Sequence, residues 1–246
     1  MQAVKNFNGT ISETVRTDYR TADVFRKYGI NYCCGGNISL EEVCNRQKVD
    51  INSLQSELNI AVKKLNIPAS LRFDEWTVDF MIDYIINVHH SYLRHSLPLI
   101  KDLMTAFVKG HRNQYPYLDI VLETYLELSS FLLEHIQEEE EKVFPYIKHM
   151  SHTYKHNETY GRLFVKNWNK PLTQVLQSDH QHVSALLLQL RKESNQYTFG
   201  KDACTNHLVI YQKLQELDDD IVQHQHLENN ILFPKAIFME KELLQL

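Results

Sequence analysis

The sequence predicts an all-α fold: a four-helix bundle preceded by a small helical N-terminal module. Three observations carry this. Apolar residues recur at steps of three and four along four long segments, the periodicity of a helix with one buried face. With 7 Gly and 6 Pro in 246 residues, the chain has too few turn formers for a sandwich or barrel. The pattern "H-x-x-x-E-x-x-x-x-F-P" occurs twice, as "HIQEEEEKVFP" at 135–145 and "HQHLENNILFP" at 224–234, which points to two similar helical hairpins.

The elements follow in chain order. Residues 1–66 read as the small module. Thr21 is placed to cap "ADVFRKYG", with Gly29 as the stop. "NYCCGG" is a turn, and Ser39 with Glu42 forms a capping box for a second helix. A third helix runs through "INSLQSELNIAVKKL". Residues 67–74 are the linker, and residues 75–246 the bundle, with helices near 75–108, 117–149, 169–196 and 203–242. Pro116 and Pro171 sit near helix starts, where a missing N–H costs little. Pro98 lies inside the first pattern and is expected to kink or divide it. Residues 150–168 are the longest connection.

The seams of the four helices hold polar residues where hydrocarbon is expected. They run Ile82, Ile86, His90, Leu93, Leu97, Ile100; then Leu128, Leu132, His135, Glu139, Val143, Tyr146; then Leu172, Leu176, His180, Val183, Leu187, Leu190; then Leu214, Leu217, Ile221, His224, Glu228, Ile231. His90 to His180 is 90 residues and His135 to His224 is 89, so the two hairpins bring these side chains to one level. Residues four apart on a helix lie about 40° apart around the axis and roughly 6 Å along it. His135 with Glu139, and His224 with Glu228, therefore point the same way. Four imidazoles and two carboxylates in one core need compensation, and two metal ions supply it. Imidazole and carboxylate without thiolate suit iron, manganese or zinc more than copper(I). Two bridging carboxylates and four imidazoles fill about 8 of roughly 12 octahedral positions, and an oxide or hydroxide bridge takes two more. Closed tetrahedral structural zinc fits less well.

Several neighbours read differently. His89 lies about 100° around the helix from His90 and off its stripe. His182 and His226 fall on other faces, as surface or supporting groups. The run Glu138–Glu141 is mostly a solvated face in which Glu139 alone keeps the seam register. Cys44 and Cys204 read as core cysteines. The vicinal pair Cys33 and Cys34, followed by Gly-Gly, reads as a site for thiol redox chemistry, an intermolecular disulfide or capture of iron in transit.

These residues also carry a resemblance. Residues 75–246 resemble the haemerythrin-like bundle with its repeated H-x-x-x-E. Together with "YGINYCCGGNISLEEVC" at 28–44, "HSYLRHSLP" at 90–98, "SDH" at 178–180 and "HLENNILFP" at 226–234, nearly the whole chain resembles the repair-of-iron-centres family. The resemblance implies a di-iron centre of two iron ions, oxo- or hydroxo-bridged, held by His90, His135, Glu139, His180, His224 and Glu228, with the two glutamates bridging. It implies repair of iron–sulfur clusters damaged by oxidative or nitrosative stress, by a non-enzymatic iron donor whose partners are the damaged proteins. Nitric oxide reduction, or sensing of dioxygen or redox state, at the same centre is the alternative. Ferritin-like oxidases, with Glu-x-x-His and four glutamates, do not match.

Composition limits the rest. A net charge of −5 gives no electrostatic case for nucleic acid. No run of 18 apolar residues spans a membrane, and "MQAVKNFNGT" lacks the apolar core of a secretory signal, so a cytoplasmic location with reduced thiols is expected. A homodimer remains open.

Overall fold

The computed structural model describes residues 7, 9–33, 36–63, 71–168 and 177–245. It divides into two compact units, Met1–Ala69 with Tyr197–Leu214, and Ser70–Gln196 with Gln215–Leu246.

Among its described residues up to Lys63 the first unit has four short helices: α1 (Ile11–Thr17), α2 (Thr21–Lys27), α3 (Leu40–Gln47) and α4 (Ile51–Ala61). The capping box belongs to α1, not α3. Thr10 accepts from the Glu13 N–H while the Glu13 carboxylate accepts from the Thr10 N–H. At α3 Ser39 accepts from the Glu42 N–H, but the Glu42 carboxylate turns outward to Arg46. Thr21 is the first residue of α2 and not its cap; its hydroxyl donates to the Asp18 carbonyl. Asp50, unnoticed in the sequence, caps α4. Gly29 takes φ 68° after α2, the left-handed stop anticipated for it.

The core of this unit gathers Ile11, Val15, Phe25, Leu40, Leu54 and Leu58 with Val209. Val209 belongs to the segment that the sequence reading assigned to the bundle. Ser12 Oγ lies 2.9 Å from Thr205 Oγ1, and Arg16 donates to the Ala203 carbonyl. Cys44 is buried as expected, whereas Cys204 is half-buried and so not a core cysteine. Gly36 packs tightly: its carbonyl accepts from the Ser12 N–H at 2.9 Å, and a Cβ there would collide with the Tyr32 carbonyl oxygen. Gly36→Ala is therefore expected to destabilise the full chain by about 1–3 kcal/mol in denaturant melts. An unchanged midpoint would show that the backbone around Gly36 relaxes freely.

The second unit contains α5 (Val78–Tyr84), α6 (Ser91–His111), α7 (Leu118–Glu138), α8 (Phe144–Lys155), α9 (Gly161–Asn167), α10 (Gln177–Glu193), α11 (Thr205–Leu227, its residues through Leu214 in the first unit) and α12 (Phe233–Gln245). These build the four rods of the bundle, α5–α6, α7–α8, α10 and α11–α12, with α7 packed on α6 and α10, and α12 on α8 and α9. Arg191 clamps Asp218 through two nitrogens, tying α10 to α11, and Tyr125 donates to the Leu97 carbonyl at 2.6 Å, tying α7 to α6. Leu172, Leu176 and Pro171 lie outside the described residues. Among the described residues no helix is long and apolar enough to cross a membrane.

Two expectations change. Pro98 does not divide its helix: α6 runs unbroken from Ser91 to His111. Residues 150–168 are not mainly a connection, since α8 continues to Lys155 and α9 follows.

Three rods instead change register through π turns, at Ile85–His90, Glu139–Val143 and Glu228–Leu232. The Phe144 N–H bonds to the Glu139 carbonyl and the Phe233 N–H to the Glu228 carbonyl, five residues back. Pro145 and Pro234 come next in the chain. A proline in a regular helix abuts the carbonyl four residues earlier, and a widened turn relieves that contact. This accounts for the repeated Phe-Pro. The extra residue also moves the seam by one position: Ile85 and Leu232 are fully buried, while the expected Ile86 and Ile231 are only half-buried.

Candidate metal centre

Each of the three π turns carries site residues. Ile85–His90 ends on the two adjacent histidines, and the other two begin on Glu139 and Glu228. A wide turn aims side chains that a regular helix would point elsewhere, which is why such turns collect at functional sites.

Four rods bring six side chains together as two quartets, His90, Glu139, His224, Glu228 and His135, Glu139, His180, Glu228, each with its ligand atoms within 4.8 Å of one another. All six are buried. The two glutamates belong to both quartets, and their oxygens are shared out between them. Glu139 Oε2 lies 3.4 Å from His90 Nε2, and Glu139 Oε1 lies 3.3 Å from His135 Nε2. Glu228 Oε1 lies 2.9 Å from His224 Nε2, and Glu228 Oε2 lies 3.4 Å from His180 Nε2. Each carboxylate thus faces an imidazole of either pair.

Without a cation this arrangement is costly. Both oxygens of Glu139, Oε2 of Glu228 and Nε2 of His180 are buried without a hydrogen-bond partner among the described residues. Burial pushes both carboxyls well above the usual carboxylate range, and the facing Glu228 adds to the shift at Glu139. Burial also holds the imidazoles neutral: His90 is pushed down to about 2, His224 to about 3 and His135 to about 4, with His180 lowered as well. Neutral imidazole nitrogens and unpaired carboxylate oxygens, convergent and buried, are a donor set that metal cations satisfy. The residues fit the group that the sequence implied.

The Nδ1 atoms are held from behind. His90 Nδ1 is 2.7 Å from Glu140 Oε1, and Glu140 Oε2 receives Arg94 at 2.7 Å. His180 Nδ1 is 2.7 Å from Asn229 Oδ1. With Nε2 facing the centre, Nδ1 carries the proton and donates outward, which fixes tautomer and ring orientation. Glu140 is therefore not part of a solvated face. The sequence offered one signal for these groups: Glu140 and Asn229 each follow a seam glutamate directly.

His89 also needs correction. It is 1% exposed, not turned away, and its ring lies parallel to that of His224 (9°, centroids 5.7 Å). Asp220 Oδ1 holds its Nδ1 at 2.9 Å. His89 joins neither quartet, and His90 belongs to the first. His89 and His90 close the π turn Ile85–His90, and both are buried. His182 and His226 are at the surface. Cys33 is a half-buried thiol in the first unit, its N–H bonded to Asn31 Oδ1 at 3.0 Å. Cys34 lies outside the described residues.

Comparison with known proteins agrees with this architecture. Residues 81–236 match the profile described as hemerythrin HHE cation binding domain, and residues 7–62 that of a domain of unknown function (DUF542). The iron–sulfur cluster repair protein ScdA of Staphylococcus haemolyticus is 30% identical over 234 residues, 92% of this chain and 96% of that protein. ScdA of Staphylococcus epidermidis is 32% identical over 225 residues, 90% and 95% of the two chains. The iron–sulfur cluster repair protein YtfE of Escherichia coli O81 is 31% identical over 219 residues, 89% and 91%.

Proposed function

The chain belongs to the haemerythrin-like family of the ScdA and YtfE iron–sulfur cluster repair proteins, and from that premise we propose that it holds two iron ions and donates iron from this store to proteins whose clusters have been damaged. One observation carries this reading: each buried carboxylate divides its two oxygens between two histidine pairs, so one cage offers two adjacent cation positions.

The residues divide the work. His90 and His224 would hold one ion and His135 and His180 the other, with Glu139 and Glu228 shared between them. Glu140 and Asn229 orient the rings behind them. The surrounding hydrocarbon, including Phe144 and Phe233 stacked on His90 and His180, keeps bulk water out. When cargo leaves, the two carboxyls, raised by burial, take up protons in its place. Release therefore does not strand two negative charges in the core. The vicinal thiols Cys33 and Cys34 serve thiol chemistry or iron capture in this reading.

The test mixes iron-loaded protein with an inactive apo-cluster enzyme under reducing, anaerobic conditions. Activity should return in proportion to iron lost from the donor. Equal recovery with the metal-free variant Glu139→Gln, Glu228→Gln would end the donor reading. Sustained consumption of nitric oxide with a reductant, far beyond one molecule per site, would replace transfer by turnover.

A further inference from the structure

The two halves of the cage share a repeat but differ in what stands behind their imidazoles. At corresponding positions, His90 donates to the carboxylate of Glu140 and His180 to the amide oxygen of Asn229, both at 2.7 Å. An ionised acceptor draws the Nδ1 proton more strongly and makes Nε2 the better donor to a metal. Arg94, 2.7 Å from the second oxygen of Glu140, holds that carboxylate aimed at the ring.

The second pair of rings differs too. His224 is backed by the parallel ring of buried His89, itself anchored on Asp220. The corresponding residue in the other half, 90 positions later, is Asp179. Its Oδ2 faces His135 Nδ1 at 3.6 Å, a longer contact than the 2.7 Å between His90 Nδ1 and Glu140 Oε1. Exposure follows the same division. The side chains of His90 and His224 are 0% and 2% accessible, and those of His135 and His180 7% and 6%.

We propose that the position built by His135 and His180 is the exchangeable one, and that the position built by His90 and His224 retains its ion. The inference rests on the two-ion cargo reading above. It assigns to Glu140 and Asn229, one residue past each bridging glutamate, the role of setting how tightly each ion is held. They are positioning residues, acting through the rings they orient. The protein then delivers one iron readily and keeps the second, which holds the bundle together while the first is replaced.

The test loads the full-length protein anaerobically with ferrous iron and follows loss to an excess of a chromogenic ferrous chelator. Two phases of one ion each are expected, separated about 10- to 100-fold in rate, the range that outer-shell partners command in metal affinity. Asn229→Asp should slow the fast phase about tenfold and leave the slow one alone. Glu140→Gln should speed the slow phase only. A merely structural role would shift both phases together. Two ions leaving in one phase, or Glu140→Gln acting on the fast phase, overturns the inequivalence while leaving the cargo reading intact. A protein that takes up no iron sinks both.

Discussion

Replacing Glu139 and Glu228 together by glutamine is expected to bring bound iron to background while making the metal-free protein more stable at neutral pH. Each carboxylate faces both histidine pairs, so the double change strips both positions of every anionic ligand at once. Outer-shell changes alone cost about 10- to 100-fold in metal affinity, and removing bridging ligands exceeds that. The stability effect has the opposite sign. Without metal, burial raises both carboxyls well above the usual range, so keeping them in the folded core at neutral pH costs stability, a cost that neutral glutamine does not carry. A gain of about 1–4 kcal/mol is expected, the scale on which buried charge is relieved by neutral replacement. Elemental analysis and thermal melts of chelator-treated protein measure the two effects. Retention of iron would place the ligands elsewhere. A lower melting point for the metal-free variant would show that the carboxyls stabilise the bundle on their own account.

The metal-free protein should be most stable near pH 6.5 and lose stability on both sides. The four imidazoles have depressed pKa values in the folded state: about 2 for His90, 3 for His224 and 4 for His135, with His180 also lowered. Between those values and 6.5 the unfolded chain binds more protons, so their contribution is present above pH 6.5 and lost as pH falls. Glu139 and Glu228 have raised values, so the folded state binds more protons above 4.5. Their contribution is present at low pH and lost as pH rises through the folded values. Between 4.5 and 6.5 four groups oppose two, giving a net slope of at most about 2.7 kcal/mol per pH unit, with stability rising toward neutrality. Above 6.5 the imidazoles no longer contribute and the carboxyls turn the slope downward. Denaturant midpoints from pH 5 to 8, with and without iron, provide the measurement. Iron should flatten the alkaline side, because cations replace the protons on the carboxyls. A metal-free midpoint that keeps rising from pH 7 to 8 would contradict the assignment of two buried, facing carboxyls.

How far the sequence reached can be seen at particular residues. The histidine–glutamate pairs were legible because both members of each pair precede or begin the π turn, where regular geometry still holds from His135 to Glu139 and from His224 to Glu228. Past that point the reading slipped by one residue in the fourth rod, from Leu232 to Ile231, whereas Val143 and Tyr146 in the second are buried as read. The same slip concealed Ile85 and His89 in the first rod. Helix α1 was missed because Ile11–Thr17 is short and its signal is the Thr10–Glu13 box rather than a long apolar period. Val209 was assigned to the bundle because α11 is one continuous helix, and periodicity along a helix does not say which partner each turn meets.

The amino-acid order alone determined the all-α class, the two-hairpin repeat and the six inward donors, since helical period and residue chemistry are local properties read from spacing. Only the tertiary structure decided how each carboxylate divides its oxygens, that Glu140, Asn229, Asp220 and His89 stand behind the imidazoles, and that the two halves are unequal. Those relations depend on atoms from different rods meeting within a few ångströms. A single widened turn rotates everything after it by about 100°, enough to change which side chains meet.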